Sequence, residues 1–226
     1  MTDTWIKAYL AFEICVNLSF FLPAVLAWRR WPYVVPPLRV LALLTVFTPA
    51  MFGLSRLAIT LWKYNLAVGH ATTIGEGMLY LWYFRRLFTG SQYAKYFPAL
   101  QWGYAAFALL DSFYLEGFAK LNSYTNGLES FLCIGLALLF FEEYLRRSKV
   151  PSPAQDPAFI SNCAILIYMT STVTTYLFLN RFIALNDAHS VYRIFFINLV
   201  MLLILSAALT FAFLLARRPA VASARS

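Results

Sequence analysis

Three glutamates interrupt stretches of sequence that are otherwise apolar enough to cross a membrane: Glu13, Glu76 and Glu129. The stretch ATTIGEGMLYLWYFRRLF contains Glu76 nine residues before Arg85, the next basic side chain. Because a helix rises about 1.5 Å per residue, the two lie roughly 13 Å apart, which puts Glu76 near the middle of a hydrocarbon core about 30 Å thick. A charge at that depth costs at least about 2.5–3.5 kcal/mol, so we expect Glu76 to have a partner inside the protein.

Arg56 is the basic residue best placed to be that partner. It lies within the second apolar segment, which a very short loop, LWKYN, joins to the segment that contains Glu76. Two antiparallel neighbouring helices would bring these side chains together, although Arg56 could instead reach Glu129 or Glu13 through the bundle. Three carboxyl groups against one guanidinium leave an excess of acid, and we expect one or two of the glutamates to be protonated.

Other polar side chains fall at a similar depth. In the third segment Asn65, Thr72 and Glu76 are separated by seven and four residues, so they share one helix face. Nearly all the intramembrane polar groups fall in one half of the membrane, and we predict that they line a pocket for a small ligand, an ion or a proton. The predicted pocket residues are Glu13, Arg56, His70, Thr72, Glu76, Glu129, Tyr168, Thr172, Thr175 and Asn198.

The alternative is that these groups only join helices to one another, each contributing about 0.6 kcal/mol. For His70 and the threonine-rich end of the sixth segment, packing or backbone hydrogen bonding is the simpler interpretation. We expect Asp111 to lie at the membrane interface, because it falls near the end of its segment.

The composition fits a membrane protein. The 226 residues are 61% hydrophobic and only 12% charged, with a mean hydropathy of +0.66, whereas soluble domains carry about 25% charged residues. Seven apolar segments of about 20 residues are each long enough to cross a membrane. They comprise residues 6–28, 39–62, 65–88, 97–115, 125–145, 157–180 and 190–216. The sequence therefore predicts one domain, 1–226, that is an all-α integral membrane protein with seven transmembrane helices in one bundle.

The distribution of Lys and Arg predicts the orientation of this bundle. Twelve basic residues fall on one side of the membrane: Arg29, Arg30, Arg39, Arg85, Arg86, Lys95, Arg146, Arg147, Lys149, Arg217, Arg218 and Arg225. Five fall on the other: Lys7, Lys63, Lys120, Arg181 and Arg193. Because basic loops stay cytoplasmic, we expect the N-terminus outside and the C-terminus in the cytoplasm, in a bacterial cytoplasmic (inner) membrane. This topology explains the net charge of +8, and its dispersal over four loops argues against nucleic-acid binding.

The sequence contains no complete catalytic motif. FEEYLRR has the Glu-Glu-x-x-x-Arg pattern of intramembrane CAAX-type proteases, but His70 and His189 lack the neighbours that this chemistry needs. The stretch fits a helix end with an i,i+4 pair between Glu142 and Arg146. Two distant histidines argue against a metal or haem site, and the three cysteines are interpreted as small hydrophobic residues. The last segment has no lysine for a retinal Schiff base. We expect no metal and no cofactor, and we favour a protein that is not an enzyme.

Two stretches, SYTNGLESFLCIGLALLFFEEYLRR and HATTIGEGMLYLWYFRRLF, resemble a group of small uncharacterised bacterial membrane proteins that is common in Bacteroidota. In that group the third helix has a Glu followed by an apolar run to basic residues, which Glu76 matches here. The fifth helix of the group opens with Asn-Ser and then Glu-Ser, as do Asn122, Ser123, Glu129 and Ser130. The DPAFISNCAILIY stretch is also similar. The resemblance implies a seven-helix fold and no established activity.

Three functional interpretations follow. The first is a receptor-like or sensory protein in the lipid bilayer, with an outward-facing pocket for a small molecule or proton and a membrane or cytoplasmic signalling partner. The second is a small transporter of three helices, a linker helix and three helices, because Glu13 precedes Arg29 by sixteen residues and Glu129 precedes Arg146 by seventeen. The third is an accessory or scaffold subunit of a membrane complex.

Overall fold

The computed structural model describes residues 3–118, 120–146, 152–185 and 187–216, and within them the chain is almost entirely helical, with no β-strand. The α-helices are α1 (Asp3–Ser19), α2 (Phe21–Arg29), α3 (Pro36–Trp62), α4 (Leu66–Leu87), α5 (Phe97–Leu110), α6 (Ser123–Arg146), α7 (Pro157–Ala184) and α8 (Ala188–Leu215). A π-helical turn, Asp111–Leu115, extends α5. Five residues used to predict the orientation lie outside the described residues: Arg147, Lys149, Arg217, Arg218 and Arg225.

The predicted all-α class is confirmed, and each predicted apolar segment corresponds to a helical element. The first segment is divided into α1 and α2 at Phe20. Pro23 contributes to this break because it has no N–H to donate to the carbonyl of Ser19. The Ser19 hydroxyl lies 2.7 Å from the carbonyl oxygen of Val16 and 2.9 Å from the hydroxyl of Ser206 on α8, so the break is tied to a neighbouring helix.

Four helical stretches in the described residues are long and apolar enough to cross a membrane. They are Trp5–Arg29, Pro36–Trp62, Pro157–Leu179 and His189–Leu215. Such stretches fit an integral membrane protein. The α5 helix has only 14 residues before its π-helical turn, while α4 and α6 carry more polar side chains, among them Glu76 and Glu129.

Six helical elements form a closed ring. The α1/α2 pair packs against α3, α3 against α4, α4 against α6, α6 against α7, and α7 against α8, which returns to α1 and α2. The α5 helix lies outside the ring, against α4 and α6. Gly77 permits this contact, because a Cβ atom there would overlap the ring and hydroxyl of Tyr104. The Tyr104 hydroxyl donates to the carbonyl oxygen of Thr73 at 2.9 Å.

The ring has two chemically different halves. We call the half that contains the start of α1 and the α3–α4 turn at 63–65 the polar half, and the half that contains the connections 30–35 and 88–96 the apolar half. Tightly packed side chains fill the apolar half, including Leu38, Leu41, Tyr83, Phe84, Phe88, Phe140 and Phe213. At this end Arg30 donates to the carbonyl oxygens of Leu214 and Ala216 and thereby closes the last turn of α8.

Candidate functional site

The polar half encloses a cavity of about 310 Å³ to which all six elements of the ring contribute side chains. Its polar lining residues are Glu13, Asn17, Thr48, Ser55, Asn65, Thr72, Thr73, Glu76, Asn122, Asn126, Tyr168, Thr172, Tyr176 and Asn198. The apolar remainder includes Met51, Phe52 and Leu202. Because the lining comes from α1, α3, α4, α6, α7 and α8, the cavity is a property of the whole ring.

Glu76 lies on α4, where α3 and α4 approach closely. The approach is possible because a Cβ atom at Gly75 would overlap the ring of Phe47. The Thr48 hydroxyl donates to Glu76 Oε1 at 3.0 Å. No other donor and no basic nitrogen contacts this carboxyl group among the residues that the structure describes. Since a carboxylate has about four acceptor positions, Glu76 retains unused hydrogen-bonding capacity facing the cavity.

Arg56 pairs with Glu13, one of the three partners that the sequence left open. The Arg56 guanidinium donates to Glu13 Oε2, and the two side chains are 36% and 24% exposed. The guanidinium also lies 5.1 Å from the centre of the Phe52 ring. Arg56 is eight residues beyond Thr48 on α3, about 12 Å nearer the 63–65 turn. It therefore neutralises the Glu13 carboxylate at the edge of the cavity and does not pair with Glu76.

Glu129 does not line the main cavity, although the sequence places it in the same pocket. Its carboxyl group is buried on α6 behind the wall formed by α4. It faces the hydroxyl of Tyr104 and lies near Gly77 and Cys133. Glu76 and Glu129 are close enough to repel each other when both are ionised. Glu129 is thus an electrostatic neighbour of the site.

Six of the ten predicted pocket residues line the cavity: Glu13, Thr72, Glu76, Tyr168, Thr172 and Asn198. The Thr172 hydroxyl lies 3.2 Å from Asn198 Oδ1 and joins α7 to α8 beside the cavity. Thr175 is buried one turn away, where it faces a separate apolar groove between α7 and α8.

His70 is buried away from the cavity. Its Nδ1 lies 2.9 Å from the hydroxyl of Ser112, and its Nε2 lies 3.2 Å from the carbonyl oxygen of Lys120. The imidazole therefore joins α4 to the segment between α5 and α6. This geometry agrees with the structural alternative to a ligand-binding role.

Asp111 is fully buried, whereas the sequence suggests a position at the membrane interface. Its Oδ2 accepts from the backbone N–H and hydroxyl of Thr125, at 3.1 and 2.6 Å. These bonds satisfy donors in the first turn of α6, as an anion at a helix N-terminus does. The neighbouring Oδ1 has no partner within the described part of the chain.

Sequence reasoning missed the amide cluster on the α4–α6 side of the cavity. Asn122 donates to the Thr73 hydroxyl at 2.6 Å, and Asn126 donates to the same oxygen at 3.2 Å. Asn122 and Asn126 are four residues apart, so the helical spacing could have identified them as one face. Asn17, four residues after Glu13, was detectable in the same way.

Within the described residues, no group of three or more His, Cys, Asp or Glu side chains is arranged to bind a metal ion. The three cysteines are free thiols. The chemistry that the cavity offers is therefore ionic and hydrogen-bonding, from one unpaired carboxyl group, one ion pair and a set of amides and hydroxyls.

Comparison with known proteins found no relative of this chain. The resemblance to small seven-helix proteins of bacteria consequently stays a prediction from the sequence. No protein-family model, no curated protein and no solved structure matches the chain.

Proposed function

We propose that the protein is a receptor-like membrane protein whose polar cavity binds a small ligand. One observation carries the proposal: six helical elements line a single cavity that contains Glu76, a carboxyl group with no basic partner among the described residues. Polar groups that only join helices would occur as separate pairs and would not require a shared space. An unpaired carboxylate at this depth is costly, and a ligand that contacts it would offset that cost.

The proposal includes seven membrane crossings, with the N-terminus outside and the C-terminus in the cytoplasm of a bacterium. The basic residues support this arrangement, since Arg29, Arg30, Arg85, Arg86 and Arg146 all lie at the end of the ring that belongs to the apolar half. Basic residues accumulate on the cytoplasmic side. The polar half, with its cavity, then faces outward.

Reporter fusions test this orientation. Fluorescent protein fused to the C-terminus is expected to fluoresce in the bacterial cytoplasm, and alkaline phosphatase at the same position is expected to be inactive. Alkaline phosphatase inserted after Tyr64, in the α3–α4 turn, is expected to be active. The reverse pattern would overturn the orientation.

The apolar half favours a binding protein over an open channel. One helical turn beyond Glu76, Tyr80 is 2% exposed, and Phe84 one turn further is fully buried. Packed side chains therefore close the ring beneath the cavity. A signal would have to pass through movement of the helices to a membrane or cytoplasmic partner, because the described residues include no separate output domain.

Thiol labelling tests whether the cavity opens to the outside. In a variant whose three native cysteines are replaced by alanine, Ser55→Cys is expected to react with a membrane-impermeant thiol reagent added to intact cells. Thr45→Cys, on the same helix at a fully buried position, is the control and is expected to stay unlabelled. Lack of reaction at Ser55→Cys, with reaction after the cells are opened, would overturn an outward-facing pocket.

A small transporter is the second candidate, and the position of α5 favours it. The α5 helix corresponds to the fourth predicted span and packs outside the ring against α4 and α6. A linker helix between two three-helix halves would occupy such a position. Uptake of a ligand into proteoliposomes would support transport, whereas binding without uptake would support the receptor.

A further inference from the structure

The two carboxyl groups that line the cavity differ in their partners. Glu13 is matched by Arg56, but Glu76 has only the neutral Thr48 hydroxyl as a donor among the described residues. The nearby carboxyl group of Glu129 supplies no positive charge that could balance Glu76. An uncompensated charge at this depth is costly, so a proton or a bound cation would stabilise Glu76, whose side chain is half-buried at the cavity.

Several of the hydrogen-bond donors that line the cavity are already used within the protein. Asn122 donates to the Thr73 hydroxyl and to the carbonyl oxygen of Gly69, and Asn126 donates to Thr73 and to the carbonyl oxygen of Asn122. These bonds use both N–H groups of each amide and leave the side-chain oxygens as acceptors.

Two further residues of the cavity lining, on α1 and α4, also donate within the protein. Asn17 donates to the carbonyl oxygen of Glu13 at 2.9 Å, and the Thr72 hydroxyl donates to that of Val68 at 2.8 Å. Both bonds are directed to the backbone of the donor's own helix, and the side-chain oxygen of each residue can still accept a hydrogen bond. Together with the Glu76 carboxyl group, which has one recorded donor, these oxygens favour a ligand that donates hydrogen bonds.

The size of the cavity distinguishes an organic cation from a metal ion. A volume of about 310 Å³ corresponds to roughly ten water molecules at about 30 Å³ each. A bare Ca²⁺ ion needs six to eight oxygens at about 2.3–2.6 Å, a much tighter shell than this space provides. Phe52, Tyr168 and Tyr176 line the same cavity, and aromatic rings attract cations through their faces.

From these observations we propose that the cavity binds a small protonated amine, whose ammonium group pairs with Glu76 and donates to the surrounding amide and hydroxyl oxygens. The inference rests on the proposed function, because it names the class of ligand for the same cavity. The alkyl part of the amine would lie against Phe52 and Leu202.

Binding of simple probes to the purified full-length protein in lipid nanodiscs tests this inference. n-Butylammonium is expected to raise the unfolding temperature in a concentration-dependent manner, because a ligand that binds only the folded state stabilises it. The neutral analogue n-butanol and the anionic analogue butyrate are expected to have no effect. Tetramethylammonium, which has no N–H group, is expected to bind more weakly.

Glu76→Gln is expected to weaken butylammonium binding about tenfold or more, since it removes a charged hydrogen bond. Glu142→Gln is the matched control, because Glu142 is exposed and pairs with Arg146 on the surface; it is expected to leave binding unchanged. A normal unfolding temperature of the unliganded Glu76→Gln protein verifies that it has folded.

Four results would overturn the amine assignment: no stabilisation by butylammonium between pH 6 and 9, stabilisation by butyrate, equal binding of tetramethylammonium, or unchanged binding by Glu76→Gln. The labelling of Ser55→Cys separates this failure from that of the proposed function. A labelled cavity that binds no amine refutes only the ligand class, whereas a cavity that cannot be labelled from outside refutes both.

Discussion

The two halves of the ring are built from the same six helical elements, yet side chains fill one half and the other encloses a cavity of about 310 Å³. The α4 helix illustrates the difference within a single element. Thr72 and Glu76 line the cavity, and Tyr80 and Phe84, one and two turns later on the same side, are buried in the packed core. The residue type at each helical turn thus decides whether the ring packs closed or stays open.

The two halves of the ring differ in what they contribute: the apolar half contributes stability, and the polar half contributes the cavity. In a lipid environment helices associate through close packing and internal polar contacts, since lipid tails are as apolar as the side chains. Packing in the apolar half fixes the relative positions of the helices. The polar half can then retain an unfilled space and an unpaired carboxyl group, features that lower stability and that are characteristic of binding sites.

The largest effect is expected in the apolar half, from Phe84→Ala. The side chain is fully buried and its ring contacts those of Tyr83 and Phe88. Removing roughly 100 Å³ of packed side chain is expected to lower the free energy of unfolding by about 2–3 kcal/mol, at ~24 cal/mol per Å³ of cavity. Trp82→Ala, at a 37% exposed position on the same helix, is the control and should change stability much less. Equal effects in thermal unfolding would contradict a packed apolar half.

Gly77→Ala tests the attachment of α5 to the outside of the ring. The added methyl group would overlap Tyr104, and overpacking of this kind costs about 1–3 kcal/mol. Gly103→Ala is the control, because a Cβ atom at Gly103 meets nothing within 4 Å; it is expected to be neutral or slightly stabilising. Thermal unfolding of both variants measures the difference, and replacing Tyr104 by a smaller residue should partly rescue Gly77→Ala. A neutral Gly77→Ala would place α5 elsewhere.

In the polar half, a substitution at Glu76 is expected to raise stability, whereas the substitutions above lower it. Without ligand, Glu76→Gln is expected to raise the free energy of unfolding by about 1 kcal/mol, because it removes an acid that has no basic partner among the described residues and keeps an acceptor for Thr48. Thermal unfolding at pH 8 without added amine measures this effect, and the exposed Glu142→Gln variant should show none. A clear loss of stability would mean that the Glu76–Thr48 hydrogen bond holds α3 and α4 together. It would contradict the prediction that the polar half gives up stability for binding.

The sequence was sufficient for the helices and for part of the cavity, because both depend on spacing along the chain. The seven apolar segments correspond to helical elements, and the polar face that includes Thr72 and Glu76 lines the cavity. Which helices are neighbours was not accessible in the same way. The choice of Glu13 as the partner of Arg56 depends on the contact between α1 and α3.

Glu129 shows the same limit. The sequence places it in the same pocket as Glu76, but α5 docks outside the ring and provides Tyr104 as its neighbour. The two small residues that set these distances, Gly75 and Gly77, lie on either side of Glu76. Each is required by an aromatic ring from another helix, and a single sequence does not show which ring that is.

The smallest effect is expected at the rim of the polar half, where Asp187 caps the start of α8. Asp187 Oδ1 accepts from the backbone N–H of Ser190 at 3.1 Å, and Oδ2 accepts from its hydroxyl at 2.5 Å. These two bonds hold the pKa of Asp187 below its usual value, and the bond from the Ser190 hydroxyl has the larger effect. A carboxyl group whose pKa is lowered by folding stabilises the protein above its unfolded pKa of about 3.9, and this contribution disappears as the pH falls through the folded value.

Asp187→Ala should therefore lower the unfolding temperature slightly at pH 7, and the difference from the natural protein should vanish as the pH falls through the lowered pKa of Asp187 in the folded protein. Asp187→Asn keeps an acceptor at the cap and is expected to have a smaller effect at pH 7. Because Asp187 lies at a helix end and does not line the cavity, its substitution should leave amine binding unchanged. A change in amine affinity would contradict this prediction. It would show that the start of α8 and the cavity are coupled.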